Sequence, residues 1–129
     1  MIIEAIRNIL TSNIDINTAV SGRIYAHVAT LNTDYPLIIY SGPSTTPTPT
    51  KNNSSEIDIH DIDINIYAKT ALETGIISEL IEAELNRKSG TFSTHIIQST
   101  QITNKQEIYE SENNIYRVIL SYVFRECKT

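Results

Sequence analysis

The chain of 129 residues has no tryptophan, a single cysteine, four glycines and four prolines. One cysteine, Cys127, cannot form an internal disulfide, a usage that fits a reducing compartment. No histidine stands beside it in sequence, so its thiol reads as structural rather than nucleophilic. Four glycines leave no room for a glycine-rich phosphate loop, and no HExxH, CxxC or GxSxG spacing occurs. Apolar runs are only a few residues long, so no membrane span is expected. The start Met1-Ile2-Ile3-Glu4 lacks the basic residues and cleavage site expected of a secretory signal. Basic residues are few: ten Lys and Arg against fifteen Asp and Glu give a net charge of −5. Gripping nucleic acid by its phosphates needs a basic footprint, so that class is excluded.

What is present is a foldable chain with 40 % hydrophobic and 19 % charged residues. Its length predicts one domain over 1–129, since domains run to roughly 100 to 200 residues. Ile2, Ile3, Ile6, Ile9 and Leu10 fall on one helical face, opposite Glu4, Arg7 and Asn8. A short helical turn follows, started by Asp15 and closed by Gly22. Ile24 to Ala29 and Pro36 to Tyr40 read as strands, the second with a run, Leu37-Ile38-Ile39, that suggests burial on both faces. Residues 41–55 hold three prolines and no large apolar side chain, and predict a long mobile loop that contacts a partner.

Residues 56–68 alternate as a strand, but the apolar phase slips by one at His60-Asp61. Such a slip predicts a bulge there, or a strand crossing between environments. Thr70-Ala71-Leu72-Glu73 has capping-box form and opens a helix with Leu72, Ile76, Ile77, Leu80, Ile81 and Leu85 on a wide apolar stripe. Gly90 is the expected left-handed stop. Ile96 to Ile102 and Ile115 to Arg125 predict two last strands, with turn chemistry over 110–114 between them. The sum is an α+β domain: a mostly antiparallel sheet of four to five strands with two main helices, ordered α-β-β-(long loop)-β-α-β-β.

Chemistry has few candidates. Asp58 with His60, and beyond the slip Asp61 with Asp63 and Asn65, share strand faces. Oxygen-rich neighbours suit a hard cation, and His beside Asp suits a general base. The competing view makes them the wet side of a strand whose dry side is isoleucine. His27 and His95 stand alone in sequence. Tyr25, Tyr40, Tyr67, Tyr116 and Tyr122 sit at strand positions, where packing is the ordinary role.

The ordered features Gly22-Arg23-Ile24-Tyr25, Tyr35-Pro36-Leu37-Ile38-Ile39-Tyr40 and Asp63-Ile64-Asn65-Ile66-Tyr67 carry a resemblance. With Leu80 and Ile81 on a helix, then Tyr109-Glu110 leading to Ile115-Tyr116-Arg117, the chain resembles the tail completion proteins, or tail terminators, of long-tailed bacteriophages and prophages. The resemblance implies a non-enzymatic virion protein without cofactor or catalytic residue. It implies a homo-hexameric ring on the head-proximal end of the tail tube, which ends tube polymerisation and joins tail to head. Its implied partners are its own copies, the tail tube protein and the head-completion protein, with double-stranded DNA passing through unbound and no membrane. Its implied location is the virion, after assembly in the host cytoplasm. On this view Pro43, Thr46, Pro47, Pro49, Lys51 and Asn53 of the loop, and Tyr109, Glu110 and Glu112 of the last turn, are the candidate contacts. Two alternatives remain: a head-completion or neck ring protein, and a small metal-dependent or acid-base enzyme using His60, Asp61 and Asp63.

Overall fold

A computed structural model describes residues 2–27, 34–49, 55–111 and 114–127, with the side chains of all but 42–49 and 55–56. Helix α1 (Ile2–Ser12) buries Ile2, Ile6, Ile9 and Leu10 of the predicted stripe together with Ala5, whereas Ile3 is only partly buried. Helix α2 (Ile14–Ala19) is capped by Asn13, whose side-chain oxygen accepts from the Ile16 N–H at 3.0 Å. The start signal is therefore Asn13 and not Asp15. Gly22, at φ +75°, turns the chain toward strand β1 (Ile24–Ala26). There Arg23 Nε donates to the Pro36 carbonyl at 2.9 Å, and the Ile38 N–H donates to the Arg23 carbonyl at 2.9 Å. These two bonds set β1 parallel to strand β2 (Leu37–Pro49).

The long loop expected over 41–55 is a correction. Residues 41–49 continue β2, paired antiparallel with strand β3 (Ser55–Ala68). Three prolines argued against a strand, yet Pro43, Pro47 and Pro49 stand two and four residues apart. Pro47 lies in the regular stretch Ser44–Thr48 of the ladder, whereas Pro43 and Pro49 fall at its two register irregularities, where a ladder N–H is least needed. Among the described residues, nothing pairs with β2 on its β1 side beyond Tyr40, so β2 is an edge strand there and can lose those donors. Prolines on an open edge also oppose indiscriminate strand addition. The candidates Lys51 and Asn53 lie outside the described residues.

Of the two readings of the slip at His60-Asp61, a bulge or a strand crossing between environments, the bulge is absent from β3. β3 pairs strand β6 (Ile115–Cys127) without a break from Ile57↔Cys127 to Ala68↔Tyr116. The irregularity is on the other side, in β2 between Ser41 and Ser44. Because β3 stays in phase, Asp58 and His60 share the inner face with Ile62, Ile64 and Ile66, and Ile57 and Ile59 point outward.

Helix α3 (Ala71–Leu85) begins as predicted, with Thr70 Oγ1 accepting from the Glu73 N–H at 3.2 Å. It buries Thr74, Ile77, Ser78, Ile81 and Leu85, whereas Leu72 and Ile76, expected in the stripe, are 74 % and 49 % exposed. Its left-handed residue is Arg87 at φ +53°; Gly90 opens strand β4 (Gly90–Phe92) instead. A side chain in that region strains the backbone by roughly 1 kcal/mol, so Arg87→Gly should raise stability by a few tenths to about 1 kcal/mol in urea unfolding. An unchanged or lower midpoint would show that Arg87 contacts outweigh the strain.

β4 and strand β5 (His95–Glu110) form a hairpin that the sequence did not signal. Its two turn residues, Ser93 and Thr94, both have positive φ (48° and 69°), which is the geometry of a two-residue hairpin turn without its usual Asn-Gly. β5 runs to Glu110, well past Ile102, because its polar half pairs along β6 without being covered. Among the described residues the fold is thus six strands rather than four to five, with the two main helices expected and the short α2 where a helical turn was expected. The sheet is mixed, in the order β1-β2-β3-β6-β5-β4. Helix α1 packs against both edge strands, β1 and β4. The sheet therefore curls into a half-barrel around a core from Ile6, Leu10 and Ile81 to Ile64, Leu120 and Phe124.

Candidate functional site

At one end of the concave face the isoleucine core gives way to charge. Glu126 stands directly across from Asp58 on β3, and beside Ile97 on β5. His60 and His95 each lie two residues along those neighbouring strands, within diagonal reach. His60 Nε2 is 2.8 Å from Glu126 Oε1, and His95 Nδ1 bonds the other oxygen, Oε2. The second nitrogen of His95 is 3.4 Å from Glu4 Oε2 on α1. Asp58 and His60 are 8 % and 5 % exposed. The chain Glu4–His95–Glu126–His60 thus ties α1, β5, β6 and β3 together.

Burial pushes the Glu126 carboxyl up, but the hydrogen bonds from His95 and then His60 outweigh it and hold the group below the usual glutamate range. The His95 hydrogen bond likewise lowers Glu4. A hydrogen bond to a charged group in a largely covered place contributes about 1.5 to 3 kcal/mol, so the two imidazoles on Glu126 make a substantial local clamp, to which exposed Glu4 adds orientation.

The enzyme alternative does not assemble. Asp61 and Asp63 alternate to the convex face, away from His60, and both are exposed. Asp63 accepts from Ser121 Oγ at 2.7 Å. Asn65, on the same face, is buried and structural: it donates to the Ile39 carbonyl at 3.2 Å and accepts from Arg117 Nη2 at 2.8 Å. Arg117 also lies over the Tyr67 ring and 3.6 Å from Glu110. The view of Asp58 and His60 as a wet face is overturned too, since both are inside. Nothing local in the sequence brought His95, Glu126 and Glu4 to them, because the partners are 31 and 91 residues apart.

Among the expected contact residues, Pro43, Thr46, Pro47 and Pro49 stand on the open edge strand. Tyr109 is 49 % exposed, stacks on Tyr116 at 4.7 Å and donates its hydroxyl to Asn114 at 2.9 Å. Glu110 is held by Arg117, and Glu112 lies outside the described residues. A groove of about 760 Å³ runs between the end of α3 and β5, lined by Glu82, Arg87, Gln98, Ile102 and Tyr122. Burial, then the charge of Glu82, keeps the Tyr122 hydroxyl protonated far above its ordinary range.

A half-barrel on a helical layer, with an open proline-bearing edge and no assembled catalytic group among the described residues, is the frame for comparison. The sequence profile of the Tail completion protein gp17 family matches residues 4–126. The chain belongs to this family.

It is therefore a tail completion protein by family. No helix among the described residues is long and apolar enough to cross a membrane. Two solved structures share the fold. A chain in the virion of the native gene transfer agent (GTA) particle superposes with TM-score 0.82 at 11 % identity, covering 96 % of this chain and 92 % of that one. The bacteriophage SPP1 gp17 protein gives TM-score 0.56 at 19 % identity, covering 90 % and 81 %. No curated protein matches. Gly22-Arg23-Ile24-Tyr25 gains a physical meaning in this frame: a positive-φ turn, a side chain locking the start of β2, and a buried strand residue.

Proposed function

We propose that the chain folds as a single domain over 1–129 and that six copies close into a ring on the head-proximal end of the tail tube. The ring stops tube growth and presents a surface to the head-completion protein, and the chain has no catalytic role. The observation that carries this reading is the family match over 4–126, set on a fold with two unsatisfied surfaces. One is the open edge of β2, which includes Pro43, Thr46, Pro47 and Pro49; Lys51 and Asn53 follow in the connection to β3. The other is the outward ridge of Leu72 and Ile76, one turn apart on α3. A ring needs a head-to-tail contact between two different surfaces of the same molecule, and these supply a candidate pair. Tyr109, Glu110 and Glu112, in and beside the connection from β5 to β6, are assigned to a neighbouring subunit or the tube. The net charge of −5 per copy suits a hole through which the duplex slides, because a lumen of that sign repels phosphate. Assembly begins from subunits in the host cytoplasm.

Native mass spectrometry should find hexamers, and electron microscopy of a phage lacking the gene should find overlong tails. Normal tails with empty, tail-less heads would instead favour the neck-ring alternative. Leu72→Glu with Ile76→Glu should leave the melting temperature within a few degrees, since both side chains are exposed, but abolish the hexamer. A hexamer that survives both changes removes the ridge from the contact.

A further inference from the structure

Two carboxylates directly opposed on neighbouring strands repel each other. Asp58 and Glu126 are such a pair, and they sit on the inner face, with Asp58 only 8 % exposed and the Glu126 side chain 16 %. Strand positions facing a core are normally apolar, as Ile62, Ile64 and Ile66 are further along β3. His60 completes a triangle with them: one ligand-type atom from each of Asp58, His60 and Glu126 lies within 4.8 Å of the others. Imidazole nitrogen with carboxylate oxygen is a donor set for divalent first-row metals. A metal–ligand distance of about 2.0 to 2.2 Å separates tetrahedral ligands by somewhat over 3 Å, against the 4.8 Å within which these three atoms already lie.

We propose that Asp58, His60 and Glu126 form a binding site for one divalent transition-metal ion, of which Zn²⁺ is the probe. The surroundings are built for it. Histidine and carboxylate ligands are usually fixed by outer hydrogen bonds. Here His95 Nδ1 holds Glu126 Oε2, leaving Oε1 toward His60, and Glu4 holds the far nitrogen of His95. Two carboxylates and one imidazole neutralise a divalent ion without leaving net charge in a half-buried place. His60 gives its Nε2 lone pair to the metal, and the proton now shared with Glu126 moves to Nδ1 or to solvent. The site joins the start of β3, next to the β2 edge, to the end of β6. A bound ion would fix the geometry of that edge before assembly.

The test uses the full chain, stripped with EDTA and dialysed. Isothermal titration with ZnCl₂ should show one equivalent bound and a raised melting temperature. His60→Gln and Asp58→Asn should abolish saturable binding, and His95→Gln should weaken it by about 10- to 100-fold. Cys127→Ser should leave binding intact, since Cys127 alternates to the opposite face of β6. Zinc-edge X-ray absorption should show nitrogen and oxygen neighbours only, with the signature of a single imidazole. Sulfur in that shell, no saturable binding by the wild-type chain, or unchanged binding in both His60→Gln and Asp58→Asn would overturn the site and leave a hydrogen-bonded network only.

Discussion

Replacing residues 49–56 by Asn-Gly should give a subunit that folds normally but does not complete tails. Thr48 and Ile57 are direct partners in the β2–β3 ladder, so a two-residue turn can join them without shifting the register. Asn-Gly supplies the positive φ at both positions that such a turn requires. The deletion spares every inner-face residue from Asp58 to Ala68 and shortens the connection between β2 and β3, and the entropy of closing a connection changes slowly with its length. Stability should therefore stay within about 1 kcal/mol of the parent. Assembly should respond differently. Removing Pro49, Lys51 and Asn53 takes away part of the proposed contact, and losing one anchor of about 2 kcal/mol weakens a single interface roughly thirty-fold. A closed hexamer repeats that loss at six contacts, so the ring should vanish at concentrations where the parent forms it. Complementation of a phage lacking the gene reads the result directly. Wild-type plaque yield from the shortened chain would show that the hairpin tip is only a connection.

The same hairpin shows how far the sequence could be read. Regular periodicity next to helices or core transferred well: most of the α1 stripe, the Thr70 cap of α3, the alternation of β6 and that of β3 beyond Asp61 stand where the sequence put them. Each failure has a physical cause. The polar half of β5 has no apolar face to alternate because nothing covers it, and β4 turns on Ser93-Thr94 without a turn signature. Residues 41–49 were hidden by prolines that forbid a central strand but suit an edge. Leu72 and Ile76 have core chemistry and stand outside, which a helical wheel cannot distinguish when the apolar arc is wide. The apolar slip at His60-Asp61 signalled something true, but of a different kind: the backbone keeps its phase, and polar side chains enter the interior. Their partners Glu126, His95 and Glu4 are joined only by the strand order β3-β6-β5 and by α1 packing on β4, which no local pattern encodes.

Removing the middle of that cluster should be the most costly single change in the subunit outside the apolar core. Glu126→Ala deletes the acceptor of both His60 and His95, and breaking a largely buried charged network from one side costs about 3 to 5 kcal/mol. Glu126→Gln keeps the shape but loses the charge, at about 1.5 to 3 kcal/mol. Measured with EDTA present, the difference between wild type and Glu126→Gln should depend on pH in one direction. The folded-state value of Glu126 lies below the ordinary 4.5, because the hydrogen bonds from the histidines outweigh burial. Its contribution is therefore full above the unfolded value and is lost as pH falls through the folded one. The groups around it, Asp58, Glu4, His60 and His95, remain in both proteins, so the comparison cancels most of their own titration. Urea midpoints at pH 7 should separate the two proteins clearly, and the gap should narrow steadily as the pH is lowered below the unfolded value. A gap that stays constant across that range would mean that Glu126 acts by its volume, and that the carboxylate charge between the two imidazoles contributes nothing to holding α1 and the last strands together.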